Sequence, residues 1–278
     1  MESTSLRRIV LCMALAPAAI AASPAAAWGP IGHRITGQIA QDNIDGRTRA
    51  AVEQILEHES LAEASTAPDE ERSNPAQFWK EAGAYHFITL PPSAGIEQLA
   101  HPPEGDAETA LQRFTATLRN PAASREDKAV ALRFVVHIVG DLHNPLHTGK
   151  DGDRGANDVK VLWFDVPNNL HWVWDEGMIL RQQLSYSEYA DRLEARTTPA
   201  QVLEWWDANP RTWMAESVTL RDKVYPATGP VAGMGTVEAP VRLFYQYNYD
   251  WTPTMERRLQ QAGIRVAAYL DWVFAAKP

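Results

Sequence analysis

Cysteine is all but absent. The 278 residues contain one, Cys12, inside an alanine-rich stretch at the start of the chain, so the remainder has no thiol to pair and no disulfide framework. Stability has to come from apolar burial and from any metal the side chains can hold. Long apolar runs are missing too. The stretch from Ile9 to Ala22 is interrupted by Pro17 and falls short of the about 20 apolar residues that cross a bilayer, which argues against a membrane anchor. Positive charge is sparse, with 26 Lys and Arg against 35 Asp and Glu for a formal net charge of -9. A chain of that balance has no general footprint for gripping a nucleic-acid backbone, so any phosphate chemistry must rely on locally concentrated charge. Alternating strand patterns are rare, and no repeat or linker-like segment divides the sequence.

What is present begins with an export signal: Arg7 and Arg8, the apolar stretch, then Ala25-Ala26-Ala27 with small residues at the cleavage position. Cleavage after Ala27 is expected, giving a secreted or periplasmic protein that starts at Trp28. Residues 28–278 are expected to form a single catalytic domain. Apolar residues recur at three- and four-residue spacing in Ala129 to Leu142 and Leu259 to Phe274, with further helices expected near Arg47 to Glu57, Ala107 to Leu118 and Ala200 to Trp206. Prolines and glycines mark loops at Leu90-Pro91-Pro92, at Pro102 to Gly105 and from Pro226 to Pro240. The fold class is therefore all-α. One short hairpin is expected around Val159 to Asp165, where strand formers run up to Pro167-Asn168-Asn169. Trp205, Trp206, Trp213, Trp251 and Trp272 read as core residues of a domain without disulfides.

The chemistry concentrates in the block His137-Ile138-Val139-Gly140-Asp141-Leu142-His143-Asn144-Pro145-Leu146-His147. Residues four apart share a helix face, so His137 and Asp141 can present an imidazole and a carboxylate to one metal ion. Pro145 should end that helix and free His147 to turn elsewhere. His171-Trp172-Val173-Trp174-Asp175 repeats the spacing, which suggests two facing helices that contribute ligands. One such pair alone is commonly a surface ion pair; two, with His147 between them, point to metal. Imidazole and carboxylate without thiolate is the donor set of a catalytic zinc site. At the start of the mature chain, Trp28-Gly29-Pro30-Ile31-Gly32-His33 offers a free α-amine, which deprotonates readily enough to serve as a nitrogen ligand. His58 and His101 read as solvated. His143 lies off the His137 and Asp141 face, which suits a structural role.

These motifs resemble the zinc-dependent single-strand nucleases of fungi, plants and bacteria, the S1/P1 or type I nucleases. The matching pieces are Trp-Gly-x-x-Gly-His at 28 to 33, His86 in Tyr85-His86-Phe87, the run from His137 to His147, and Asn169-Leu170-His171 to Asp175. The resemblance implies a mostly helical fold shared with zinc phospholipase C, and three zinc ions. Asp69, His86, His137 and Asp141 would hold one. The amine and carbonyl of Trp28 with His33 would hold a second, bridged to the first by Asp141. His147, His171 and Asp175 would hold the third. Asp69 sits in Pro68-Asp69-Glu70-Glu71-Arg72 where the family shows Trp-Ala-Asp, and Glu70 is its rival.

By the same resemblance, Asp69 would orient the attacking water, Phe87 would stack a base, and Asn157, in Gly155-Ala156-Asn157 where the family has Gly-Gly-Asn, would position the phosphate. Ala156 would strain the loop if its position needs positive φ. Arg72 could reach the phosphate or pair with neighbouring glutamates. The implied activity is endonucleolytic cleavage of single-stranded DNA and RNA to 5′-phosphorylated products, with 3′-nucleotidase activity as a companion, by a monomer without a stable protein partner. Two other readings stay open at this level: a zinc-dependent phospholipase C, and an exported protein in which zinc only holds helices together. Met178 to Pro278 offers no functional residue.

Overall fold

Capping chemistry sets where the helices begin. Ser124 accepts from the Asp127 amide at the head of helix Arg125–Asp141, and Asp106 and Thr109 cap helix Ala107–Arg119 reciprocally. Asp45 starts Gly46–Leu56, and Thr198 with Gln201 starts Pro199–Trp205. Each cap satisfies an amide that the first turn leaves without a partner. The computed structural model describes residues 28–92, 94–150, 152–226 and 235–275; the expected export signal, residues 1–27, lies outside them. The architecture is all-α in class, with two small sheets. No helix among the described residues is long and apolar enough to cross a membrane.

All five helices expected from periodicity are present, and two more shape the site. Pro30–Asn43 packs against the 30-residue helix Tyr245–Phe274. Their close approach requires Gly263, because a Cβ there would lie 2.5 Å from Ile39 Cβ. Pro210–Arg221 reaches across to the segment from Pro145 to Lys150.

Two apolar clusters form the core. One gathers Tyr85, Phe114, Phe134, Val136 and Ile138; the other gathers Trp28, Ile35, Leu146, Leu170 and Trp174. Ligand-bearing segments belong to both, so the polar site lies where the clusters meet. Trp28, Trp174 and Trp213 are fully buried, each worth roughly 4–6 kcal/mol of apolar burial as an upper value. Their indole N–H groups donate to Gly140 O, Tyr247 Oη and Asp207 O respectively. Trp205 is buried and Trp251 half-buried, as expected of core residues, but Trp206 and Trp272 are 41% and 45% exposed. Trp272 instead carries the Arg119 guanidinium over its ring at 3.7 Å.

The expected hairpin exists, but its second strand is Val166–Asn169, the segment read as its end. It pairs antiparallel with Lys160–Trp163, and Phe164 and Asp165 form the turn, both at positive φ. Strand Val241–Leu243 joins in parallel. In the other sheet, Ile88–Leu90 and Thr148–Lys150 pair in parallel with Ile88 opposite Thr148. That register brings His86 and His147, which precede the two strands, side by side.

Candidate metal centre

Helix Arg125–Asp141 presents His137 and Asp141 one turn apart and ends at Asp141 with Leu142 as its C-cap, earlier than Pro145; the short 3-10 turn Pro145–His147 then swings His147 away. Asn169 caps the next ligand segment by accepting from the Trp172 amide at 2.7 Å. That segment includes a π-turn, Val173–Gly177, a local widening that recurs at functional sites. His33 comes from helix Pro30–Asn43, and Asp69 from the short helix Ala67–Glu70. Among the described residues, three groups place ligand atoms within 4.8 Å of one another: His33, His137 and Asp141; Asp69, His86 and His137; and His147, His171 and Asp175.

Asp141 spreads its two oxygens between the first two groups. Oδ1 lies 3.3 Å from His33 Nε2, and Oδ2 lies 3.1 Å from His137 Nε2 and 3.3 Å from His86 Nδ1. Asp69 stands slightly farther off, 3.8 to 4.0 Å from the same three histidines. In the third group Asp175 is 3.0 Å from His171 Nε2 and 3.8 Å from His147 Nε2. The rings are fixed from behind. His137, His147 and His171 direct Nδ1 to the carbonyls of Ser65, His86 and Gly155 at 2.6 to 2.7 Å, which commits that nitrogen as donor and leaves Nε2 with its lone pair toward the site.

Electrostatics fit the same picture. Burial, followed by the neighbouring histidines, holds His33 well below the usual histidine range. Burial likewise lowers His86 and His147. These rings are neutral at neutral pH and able to ligate. Burial works against the charge on His137 too, but Asp141 and Asp69 outweigh it and raise that residue. Burial pushes Asp141 and Asp175 up to about 7. Both nitrogens of His33, both oxygens of Asp141 and His147 Nε2 are buried without a hydrogen-bond partner. Each such group costs about 1–3 kcal/mol if nothing satisfies it. A cluster of convergent lone pairs left this way is what a cation would satisfy, and the imidazole and carboxylate donors suit zinc.

The remaining sequence-derived residues fall into place around this core. Glu70, the rival of Asp69, is exposed and accepts from Thr66 Oγ1. Arg72 pairs with Asp69, its Nε 2.8 Å from Oδ1. Phe87 is 44% exposed although Tyr85, His86 and Ile88 around it are buried, so ordinary core packing does not account for it. Asn157 is nearly buried and donates one amide N–H to Arg154 O. Ala156 does adopt positive φ, at 67°.

Trp28 is near the metal groups through its neighbours: its indole bonds Gly140, next to Asp141, and the Gly29 amide donates to Asp175 O at 3.0 Å. His143 is buried, donates from Nδ1 to Val139 O and accepts from Arg265, a structural role as expected. His58 and His101 are both exposed, and His101 pairs with Asp106. Sequence reading missed Asn144, whose Nδ2 donates to Asp175 Oδ1 at 2.6 Å. Its place inside the His143-Asn144-Pro145 run was the available signal.

Gly155 is the most constrained point of this surround. Its φ is +61°, and a Cβ would lie 2.5 Å from Leu146 O and 3.4 Å from His171 Nδ1. Gly155→Ala is expected to cost about 1–3 kcal/mol and to displace the carbonyl that anchors His171. A thermal melt together with zinc content would check it, and wild-type values for both would refute it.

The S1/P1 Nuclease family model matches residues 28–275. The chain belongs to that family. This S1/P1 nuclease is 30% identical to Endonuclease 3 of Arabidopsis thaliana over 273 residues, which covers 90% of each chain. It is 28% identical to Nuclease S1 of Aspergillus oryzae over 284 residues, 90% of this chain and 93% of the relative. With Nuclease P1 of Penicillium citrinum the identity is 29% over 275 residues, 90% and 99% of the two chains. The S1/P1 assignment agrees with the resemblance read from the motifs, makes the protein a nuclease and hydrolase with nucleic acid as its substrate, and favours that reading over the phospholipase and non-catalytic ones.

Proposed function

We propose that this chain is an exported, monomeric endonuclease that uses three zinc ions to cut single-stranded DNA and RNA to 5′-phosphorylated products, with 3′-nucleotidase activity beside it. Residues 1–27 are its signal peptide and residues 28–278 its single catalytic domain. The observation that carries the reading is the buried convergence of unpartnered donors on His33, Asp141 and His147, set among three His and Asp groups. Asp69, His86, His137 and Asp141 would hold one ion; Trp28, through its α-amine and carbonyl, with His33 and Asp141 a second; His147, His171 and Asp175 a third.

Zinc, when bound, supplies a water-derived nucleophile near neutral pH and positive charge for the departing 3′-oxygen. Asp69 orients the attacking water, and its pairing with Arg72 fixes the carboxylate while placing a guanidinium where the phosphate would arrive. Asn157, with one amide N–H engaged by Arg154, offers the second to the phosphate. Phe87 presents an exposed ring to a base, which must be unpaired to stack there. The ligand set contains three carboxylates, Asp69, Asp141 and Asp175, so three divalent ions leave the cleft positive despite the acidic chain.

The test is hydrolysis of single-stranded DNA, RNA and duplex DNA by the chain that begins at Trp28, beside phosphatidylcholine vesicles and a chelator-treated control. Chelator-sensitive release of 5′-phosphorylated products is expected. Cleavage of lipid alone, or no hydrolysis by zinc-loaded protein, would overturn the proposal. In the same assay Phe87→Ala should raise KM on single strands about tenfold, from a stacking contribution of about 1–3 kcal/mol per base, with kcat little changed. An unchanged KM would remove Phe87 from the substrate contacts.

A further inference from the structure

The C-terminal helices converge on the turn that carries the metal ligands. Asp141, Asn144 and His147 lie on a short segment whose carbonyls are past the end of a helix, and such carbonyls need donors from elsewhere. Three carbonyls on or next to this segment, those of Leu142, His143 and Thr148, accept from side chains of helices Pro210–Arg221 and Tyr245–Phe274. Ser217 Oγ donates to Leu142 O at 2.7 Å, and Arg258 Nε donates to His143 O at 2.9 Å. Arg221 Nη1 donates to Thr148 O at 3.2 Å.

Arg258 is at the centre of this arrangement. It is 2% exposed, as buried as the apolar core, and all three of its nitrogens are used. Besides His143 O, they reach Glu216 Oε2, Gln261 Oε1, Trp213 O and Ser217 Oγ. Glu216 also accepts from Nη1 and Nη2 of Arg265, whose Nη1 in turn faces His143 Nε2 at 3.2 Å. A buried guanidinium with five partners is expensive to desolvate, and a core that needed only volume would have used an apolar side chain. The carbonyl it grips belongs to the residue before Asn144. Asn144 accepts the Leu146 amide on Oδ1 and donates to Asp175 Oδ1 from Nδ2, and its own amide donates to Asp141 O. One turn therefore connects Arg258 to ligands in two of the three metal groups.

We propose that Arg258 is a positioning residue of the metal centre: with Glu216 and Ser217 it sets the path of the turn from Asp141 to Asn144, and so the aim of Asp141 and Asp175. The inference rests on the reading that these groups hold zinc. Hydrogen-bonded partners behind metal ligands typically change affinity by about 10–100-fold when removed, and a lysine cannot replace the fork of donors that an arginine offers.

The experiment uses the chain that begins at Trp28. Zinc per chain is measured on the wild type first; a wild type that takes up none would sink the metal reading and this inference with it. Zinc affinity by chelator competition and the visible spectrum of the cobalt(II)-loaded protein are then compared for Arg258→Met and Leu111→Ala. Leu111 is 1% exposed in the core, on helix Ala107–Arg119, and takes part in none of these hydrogen bonds. Arg258→Met is expected to lose about tenfold or more in zinc affinity and to change the cobalt spectrum, whereas Leu111→Ala lowers the melting temperature and leaves both unchanged. Equal affinities and spectra for the two variants would overturn the proposal while the metal reading stood. If Arg258→Met yields no folded protein, Arg258→Lys and Ser217→Ala carry the comparison. A loss of at least about threefold is expected for each, and wild-type affinity in both would overturn the proposal.

Discussion

Asp141→Ala is expected to lower kcat/KM on single-stranded DNA by about 1000-fold or more, because several kcal/mol of metal-dependent stabilisation corresponds to that factor. Zinc content should fall with it. Asp141 lies 3.1 to 3.3 Å from His33 and from the His86 and His137 pair, closer than Asp69, which stands 3.8 to 4.0 Å from the same histidines. The pH dependence of metal binding tests the same residue. In the metal-free protein Asp141 is pushed up to about 7, by burial first and against the opposing charge of His137. The metal-free state thus holds a proton that the metal-bound state does not, so acid favours the metal-free state. Wild-type zinc affinity should drop about tenfold per pH unit below 7 for that one proton. The variant has no carboxyl to protonate and should lose that part of the slope, while Asp175 keeps its own. Chelator competition between pH 6 and 8, run beside turnover, reads both. Turnover or zinc content at the wild-type level would remove Asp141 from the centre.

The second large effect concerns Trp28, the first residue of the mature chain under the proposed cleavage. A protein that keeps Ala27 ahead of Trp28 has an amide where the α-amine would be, and an amide nitrogen has no lone pair to give. Loss of one zinc per chain and a fall in kcat/KM of roughly 100-fold or more are expected. The fold should be indifferent, since the Trp28 indole stays buried and bonded to Gly140. Native mass spectrometry gives the zinc count and a thermal melt the control. Full activity with the extra residue would exclude the amine from the ligand set.

The spacing of His137 and Asp141, and its repeat at His171 and Asp175, could be read directly because helical geometry converts four residues into one face. The same geometry explains why Asp69 and Glu70 could not be separated: adjacent residues on one short turn point apart, and only tertiary packing of Ala67–Glu70 shows which faces the cleft. Helix Pro30–Asn43 was hidden by its glycines and β-branched residues, which lower helix propensity but let other helices approach closely. Pro253 concealed the first half of the C-terminal helix. The hairpin turn carries Phe164 and Asp165 at positive φ, where sequence reading looks for Asn-Gly, so its second strand was taken for a loop. Trp206 and Trp272 show the limit of composition: size alone does not say which aromatic finds a partner inside. The positioning role inferred for Arg258 had no local signal, because all of its partners but Gln261 lie on two segments distant in sequence.

The candidate ligands come from five stretches of chain, around 33, 69, 86, 137–147 and 171–175, that meet only in the finished fold. Were residues 1–27 to carry the chain across a membrane unfolded, the centre would assemble only at the destination, with zinc taken up there. The order of events, translocation before folding and folding before metal uptake, would then keep the producing cell's own nucleic acids away from the active enzyme.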